Sequence, residues 1–156
     1  MPSKVKPIPD GYSSLTPYLV VKGAADALEF YKKAFGAKEL FRMAHPNGEI
    51  GHAEMQIGNS RFMLADEHPK MNIKGPKSFG GTPVSLLLYT EDVDFMTAQA
   101  IKAGAKIVKP IEDQFYGDRM GMVVDPFGHQ WSVATHIEDV PPQEMAKRAK
   151  AAHLHE

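Results

Sequence analysis

No cysteine occurs anywhere in the chain. That absence removes disulfides, thiol nucleophiles and thiolate metal sites from consideration, and it agrees with a reducing compartment. Strong charge of either sign is missing too, because the formal net charge is −1. A near-neutral chain has no field to draw it to nucleic acid or to an anionic membrane surface, so neither is expected as a partner. No apolar run approaches the roughly 20 residues that a membrane helix needs. The opening MPSKVKPIPDGY lacks the apolar centre of a secretory signal, and the expected location is the cytoplasm. There is no nucleophile elbow, phosphate loop or dinucleotide fingerprint, so covalent catalysis and nucleotide binding have no support.

What is present is a repeat. After a proline- and serine-rich lead-in, SLTPYLVV (14–21) reads as a strand. Ala24, Leu28, Tyr31 and Phe35 then recur at the spacing that lines one side of a helix, and Gly36 stops it. Three strands follow, KELFRMA, GHAEMQI and RFMLA, joined through Asn47-Gly48 and Gly58-Asn59. From Thr82 the order begins again with TPVSLLLY, a helix marked by Val93, Met96, Ala100 and Ala103, Gly104-Ala105 in the place of Gly36-Ala37, and the strands KIVKPIEDQF, RMGMVVD and HQWSVAT. The interval between the helix ends, Gly36 to Gly104, and the interval between the turns before the last strands, Gly58-Asn59 to Phe127-Gly128, agree to within a single position. So small a drift over a whole module is not accidental.

The spacing predicts an α+β domain over 1–137 made of two βαβββ modules, at about 14–66 and 82–136, joined by a linker at 66–82. The linker is rich in Lys, Pro and Gly with one His, and either connects the modules or covers a pocket as a lid. The tail at 138–156 holds helix formers with a thin apolar stripe and is expected to be a solvated helix or one resting on a partner subunit. Asp125-Pro126-Phe127-Gly128 is turn chemistry, since proline presets φ and glycine accepts positive φ.

Strand alternation divides each strand into a greasier face and a remaining face. The greasier set includes Ala53, Met55, Phe62, Leu64, Val84, Leu86, Leu88, Trp131 and Val133, and is expected under the helices. The remaining set includes His52, Glu54, Gln56, Arg61, Met63, Ser85, Leu87, Tyr89, Ser132 and His136. His52 and Glu54, alternate residues on one strand, suit a metal pair or an acid–base pair, although an outward strand face often carries such residues without chemistry. Arg119 is expected on the remaining face, either clamping an anion with its forked donors or making a local turn contact. Tyr89, Tyr116 and Phe115 suit stacking on a planar ligand or plain packing. His129 and His136 flank the final strand and read first as structural. Asp66, Glu67 and His68 are consecutive, so their side chains diverge and do not form one ligand set.

With FYKKAFGA closing the first helix and DPFGHQW preceding the last strand, this paired order resembles the vicinal-oxygen-chelate superfamily, which includes glyoxalase I, extradiol dioxygenases, and fosfomycin and bleomycin resistance proteins. The likeness covers roughly 14–137 and is nearest to the glyoxalase/bleomycin-resistance and PhnB-like relatives. It implies curved mixed sheets around a cleft, with helices on the outer faces, and a homodimer. It also implies that metal-using members take one ligand from the first and one from the last strand of each module. Carried over by the helix and turn anchors, those positions are Thr16, Met63, Ser85 (or Val84) and Ser132. A divalent ion needs imidazole nitrogen or carboxylate oxygen, so no metal and no other cofactor is expected there.

Three functions remain open. The first is binding of a small organic molecule in the cleft without metal, with Thr16, Met63, Ser85, Tyr89, Tyr116, Arg119 and Ser132 against the ligand. The second is a glyoxalase-type lyase or isomerase with a displaced divalent-metal site at His52 and Glu54. The third is a structural dimer with a vestigial cleft.

Overall fold

The computed structural model describes residues 4–153, which fall into two compact units, one ending at Gly81 and the other beginning at Thr82. In the first, the strands β1 (Tyr18–Val21), β2 (Lys38–Ala44), β3 (Ile50–Ile57) and β4 (Ser60–Asp66) form a sheet in the order β1-β4-β3-β2. β1 runs parallel to β4, and the other neighbours are antiparallel. Helix α1 (Ala24–Phe35) crosses between β1 and β2. It buries Ala27, Leu28, Tyr31, Ala34 and Phe35 against one face of the sheet, where Val21, Ala53, Met55 and Leu64 lose all contact with water. The helix ends at Gly36, whose φ of 67° is the left-handed geometry that costs glycine least.

The second unit repeats the plan with β5 (Ser85–Tyr89), α3 (Val93–Ala103), β6 (Lys106–Asp113), β7 (Asp118–Val124) and β8 (Gln130–His136), in the order β5-β8-β7-β6. The repeat extends to single bonds. The last-strand residue Asp66 accepts the Ala24 N–H that opens α1, at 2.8 Å. Thr135, at the equivalent end of the second module's last strand, accepts the Val93 N–H that opens α3, at 2.9 Å. A helix N-terminus leaves its first N–H groups without intrahelical partners, so each module ties its helix to its own last strand.

Several expectations need correction. β1 starts at Tyr18 and β5 at Ser85, later than 14 and 82, because Pro17 and Pro83 supply no N–H to a ladder. Thr16 therefore lies in the lead-in, where its hydroxyl donates to the Ser13 carbonyl. Val84 is exposed and precedes its strand, so it is not among the residues under the helices. The segment at 66–82 is not structureless: it holds a 3-10 turn at Pro69–Met71 and a short helix, α2 (Pro76–Phe79), each with proline in its first turn. The tail forms α4 (Pro142–His153) with no fully buried side chain among the described residues. Arg148 fastens it, donating to both carboxylate oxygens of Glu138 and to the Phe115 carbonyl.

Candidate functional site

In the first unit the sheet face away from α1 carries a connected row of polar side chains. Tyr12, from the lead-in, donates its phenol proton to Glu54 Oε1. The other oxygen, Oε2, stands 3.0 Å from His52 Nε2, and His52 Nδ1 stands 2.8 Å from the Tyr18 phenol oxygen. Phe41 of β2 flanks the imidazole, with ring centroids 6.3 Å apart, and Arg61 lies over the Tyr12 ring at 5.2 Å. The Tyr12 hydrogen bond, followed by that of His52, holds the Glu54 carboxyl below its ordinary value, so it is a carboxylate at neutral pH. Burial and then the Glu54 bond push the Tyr12 phenol up to about 12.

Beside this row is a hollow of about 540 Å³. The same sheet face lines it with Tyr18 and Val20 of β1, Ile50 of β3 and Ala65 of β4, and the connecting segment adds Met71 and Ile73. That segment is seated on β1. Gly75 is buried so close to the strand that a Cβ there would stand 2.7 Å from the Val20 carbonyl oxygen. Glu67 holds the same piece by accepting from Gly75 N at 2.9 Å and from the Ser78 hydroxyl. Among the described residues no Lys or Arg lines the hollow, whereas His45, His68 and the carboxylate residues Glu49, Asp66 and Glu67 do. Asp66 is already committed to the backbone N–H groups of Gly23, Ala24 and Ile50.

His52 and Glu54 are thus brought together, with Met63 opposite Glu54 across the β3–β4 pair. Tyr12 and Tyr18, which complete the row, escape a reading of the sequence alone. Alternation could have found Tyr18, since it shares the parity of Thr16 on the first strand, but Tyr12 lies in a stretch with no period to follow.

In the second unit the corresponding face carries Leu87 and Tyr89 of β5, Met120 of β7, and Ser132 and His136 of β8. Tyr89 donates to Asp118 Oδ2 at 2.8 Å, and His136 bonds Asp118 Oδ1 and Asp139 Oδ1, both at 2.7 Å. Tyr116 rests on the Met120 sulfur at 3.8 Å. Ser132 is buried, and Ser85 is exposed at the start of β5.

Arg119 is elsewhere. Its guanidinium is shared between Asp94 of α3 (2.9 and 3.0 Å) and Asp113 (3.0 Å), on the helix side of the sheet. The expectation that it stands on the open face is corrected. On β7 the fully buried Val123 marks the face toward α3, and Arg119 has the same parity.

The expected metal positions also shift. Met63 is paired in register with Tyr18, and Ser132 with Leu87, each one alternation past Thr16 and Ser85 and so on the same face. Tyr18, Met63, Leu87 and Ser132 are no better a donor set for a divalent ion. The displaced alternative fits no better, because His52 Nε2 and Glu54 Oε2 bond each other. Among the described residues, no group of three His, Asp or Glu side chains gathers closely enough to hold an ion.

The profile of the Glyoxalase/Bleomycin resistance protein/Dioxygenase superfamily matches residues 13–133. An uncharacterised protein of Mycobacterium tuberculosis is 44% identical over 135 residues, spanning 85% of this chain and 79% of the relative. An uncharacterised protein of Arabidopsis thaliana is 34% identical over 116 residues, 70% of this chain and 69% of its own. The crystal structure of that plant gene product superposes with a TM-score of 0.66 at 32% identity, covering 79% of this chain and 98% of the other. A PhnB protein from Bacillus cereus shares the fold at a TM-score of 0.61 and 18% identity, covering 79% and 99% of the two chains.

Proposed function

Since the chain belongs to the glyoxalase/bleomycin resistance protein/dioxygenase superfamily, we propose that it binds a small organic molecule without the usual metal site, in the hollow on the open sheet face of its first unit. The observation that carries this reading is the hollow itself. It is a concave, largely apolar surface of about 540 Å³ that shares Tyr18 with the polar row. That is the usual make-up of a small-molecule site. With no Lys or Arg among its described lining residues, the hollow favours a neutral or weakly acidic ligand over a strong anion. The chain acts as a homodimer in this reading, and an apolar, exposed strip on the second unit, including Val84, Leu87 and Tyr89, suits burial against a second copy.

The test uses the connecting segment. A Gly75→Ala side chain would push the connecting segment off β1, because the atom it meets is backbone and cannot rotate away. Neutral and weakly acidic aromatic compounds should raise the melting temperature of the wild type in proportion to ln(1 + [L]/Kd), and Gly75→Ala should lose most of that rise. Equal stabilisation of both proteins would place the ligand elsewhere. Sedimentation or light scattering should give twice the 17.2 kDa mass of one chain, and a monomer at micromolar concentration would overturn the dimer.

A further inference from the structure

Resting on that binding reading, we infer that Tyr18, His52 and Glu54 form a hydroxyl–imidazole–carboxylate relay that removes the proton from an acidic hydroxyl of the bound molecule, so that the hollow holds phenols or enols as their anions. The direction of the row follows from its chemistry. A carboxylate only accepts, so the His52 nitrogen facing Glu54 Oε2, Nε2, carries the hydrogen. In the neutral ring Nδ1 then offers a lone pair. The Tyr18 phenol donates to it across 2.8 Å. A phenol oxygen that donates in this way keeps its own lone pairs to accept a hydrogen bond from a ligand hydroxyl. Tyr18 is half exposed and lines the hollow.

Protons and charge balance within the row. The ligand O–H bond breaks and its proton forms a new bond to the Tyr18 oxygen. The Tyr18 proton passes in the same step to His52 Nδ1, and the ligand keeps the electron pair as an oxyanion. The products are a ligand anion, a neutral Tyr18 and an imidazolium at His52, held by the Glu54 carboxylate. This places a positive charge beside a hollow that has no Lys or Arg among its described lining residues. Burial, followed by the Glu54 charge, raises the Tyr18 phenol above its ordinary value, so it conducts the proton and does not stand as a phenolate. The groups facing His52 are Tyr18 from β1, Glu54 beside it on β3, and the uncharged Phe41 and Met43 of β2. Arg61 of β4 is held at a distance, over the Tyr12 ring.

A graded series of nitrophenols tests the relay in the full chain, because phenol and phenolate differ in absorbance and binding can be read separately by calorimetry. The bound probe should ionise at least about one pH unit, or tenfold, more readily than the free probe. Tyr18→Phe and His52→Asn should each return that ionisation to its free-solution position while still binding the probe. A merely structural role for these side chains would alter affinity or melting temperature and leave the ionisation shift in place. A bound probe that titrates as it does in water, or a shift that survives either substitution, overturns the relay and leaves the binding reading standing. Failure of every nitrophenol to bind the wild type overturns the relay and the binding reading together.

Discussion

Arg119 fixes two aspartates, Asp94 and Asp113, and this sets what its loss does. Exposed ion pairs contribute little, so Arg119→Ala should change the melting temperature only slightly and leave small-molecule stabilisation as in the wild type. A loss of ligand response would restore it as a clamp. Asp125 presents the opposite case. It is buried, accepts from the backbone of Phe127 and His129, and takes the Trp131 indole N–H at 2.9 Å. Asp125→Ala removes the acceptor of this indole N–H and of two backbone N–H groups and should cost about 1–3 kcal/mol, whereas Asp125→Asn should recover part of that in denaturant unfolding. The two residues also differ in how far sequence exposes their roles. Asp-Pro-Phe-Gly announces a turn, but β7 conceals its faces. Gly121 stands where a side chain would mark the buried side, because a Cβ there would come within 2.8 Å of Ile111. With methionines on the other side, RMGMVV shows no clear alternation, and the pattern puts Arg119 on the wrong face.

At the level of elements, the module plan is the legible part, because helix period, glycine stops and paired turns are local signals. The ends of β1 and β5 are less so, since a proline truncates pairing without disturbing the apolar pattern around it. The strap that follows β8 is not legible at all. His136 joins the buried Asp118 to Asp139, and Ile137 and Glu138 both donate to the Gly117 carbonyl. The Asp118 hydrogen bond, followed by that of Asp139, raises the His136 ring above its ordinary 6.5. A raised folded-state value means that the protonated ring stabilises the fold fully below its unfolded value, and that this contribution fades as pH rises through the folded value. The melting-temperature gap between wild type and His136→Asn should therefore be widest below about pH 6.5 and narrow toward alkaline pH. A gap that is flat or widens with pH would contradict the strap. Gly117 permits the same connection: its φ is 100°, and a Cβ would run into the Glu138 carbonyl oxygen. Gly117→Ala should cost about 1–3 kcal/mol through backbone strain alone.

For the whole molecule, the two modules put different chemistry on the same frame. Where the first has Tyr18, His52, Glu54 and Met63, the second has at equivalent register Leu87, Met120, Met122 and Ser132, and its polar cluster of Tyr89, Asp118 and His136 lies further along the sheet. Such a division cannot be read from either half alone, because each residue has an ordinary structural explanation until its neighbours across the sheet are known. It also bears on metal. A divalent ion held between a first and a last strand needs hard or borderline donors in both. The pairs Tyr18–Met63 and Leu87–Ser132 offer instead a phenol already bonded to His52, a thioether, an alkyl chain and a buried hydroxyl. Protein purified without chelator should accordingly contain well under one equivalent of nickel, zinc, iron or manganese by elemental analysis. The His52→Ala and Glu54→Ala proteins should match it. Near-stoichiometric metal that disappears in either variant would show that the His52–Glu54 bond opens to admit an ion, and the relay would then give way to metal-assisted chemistry at the same side chains.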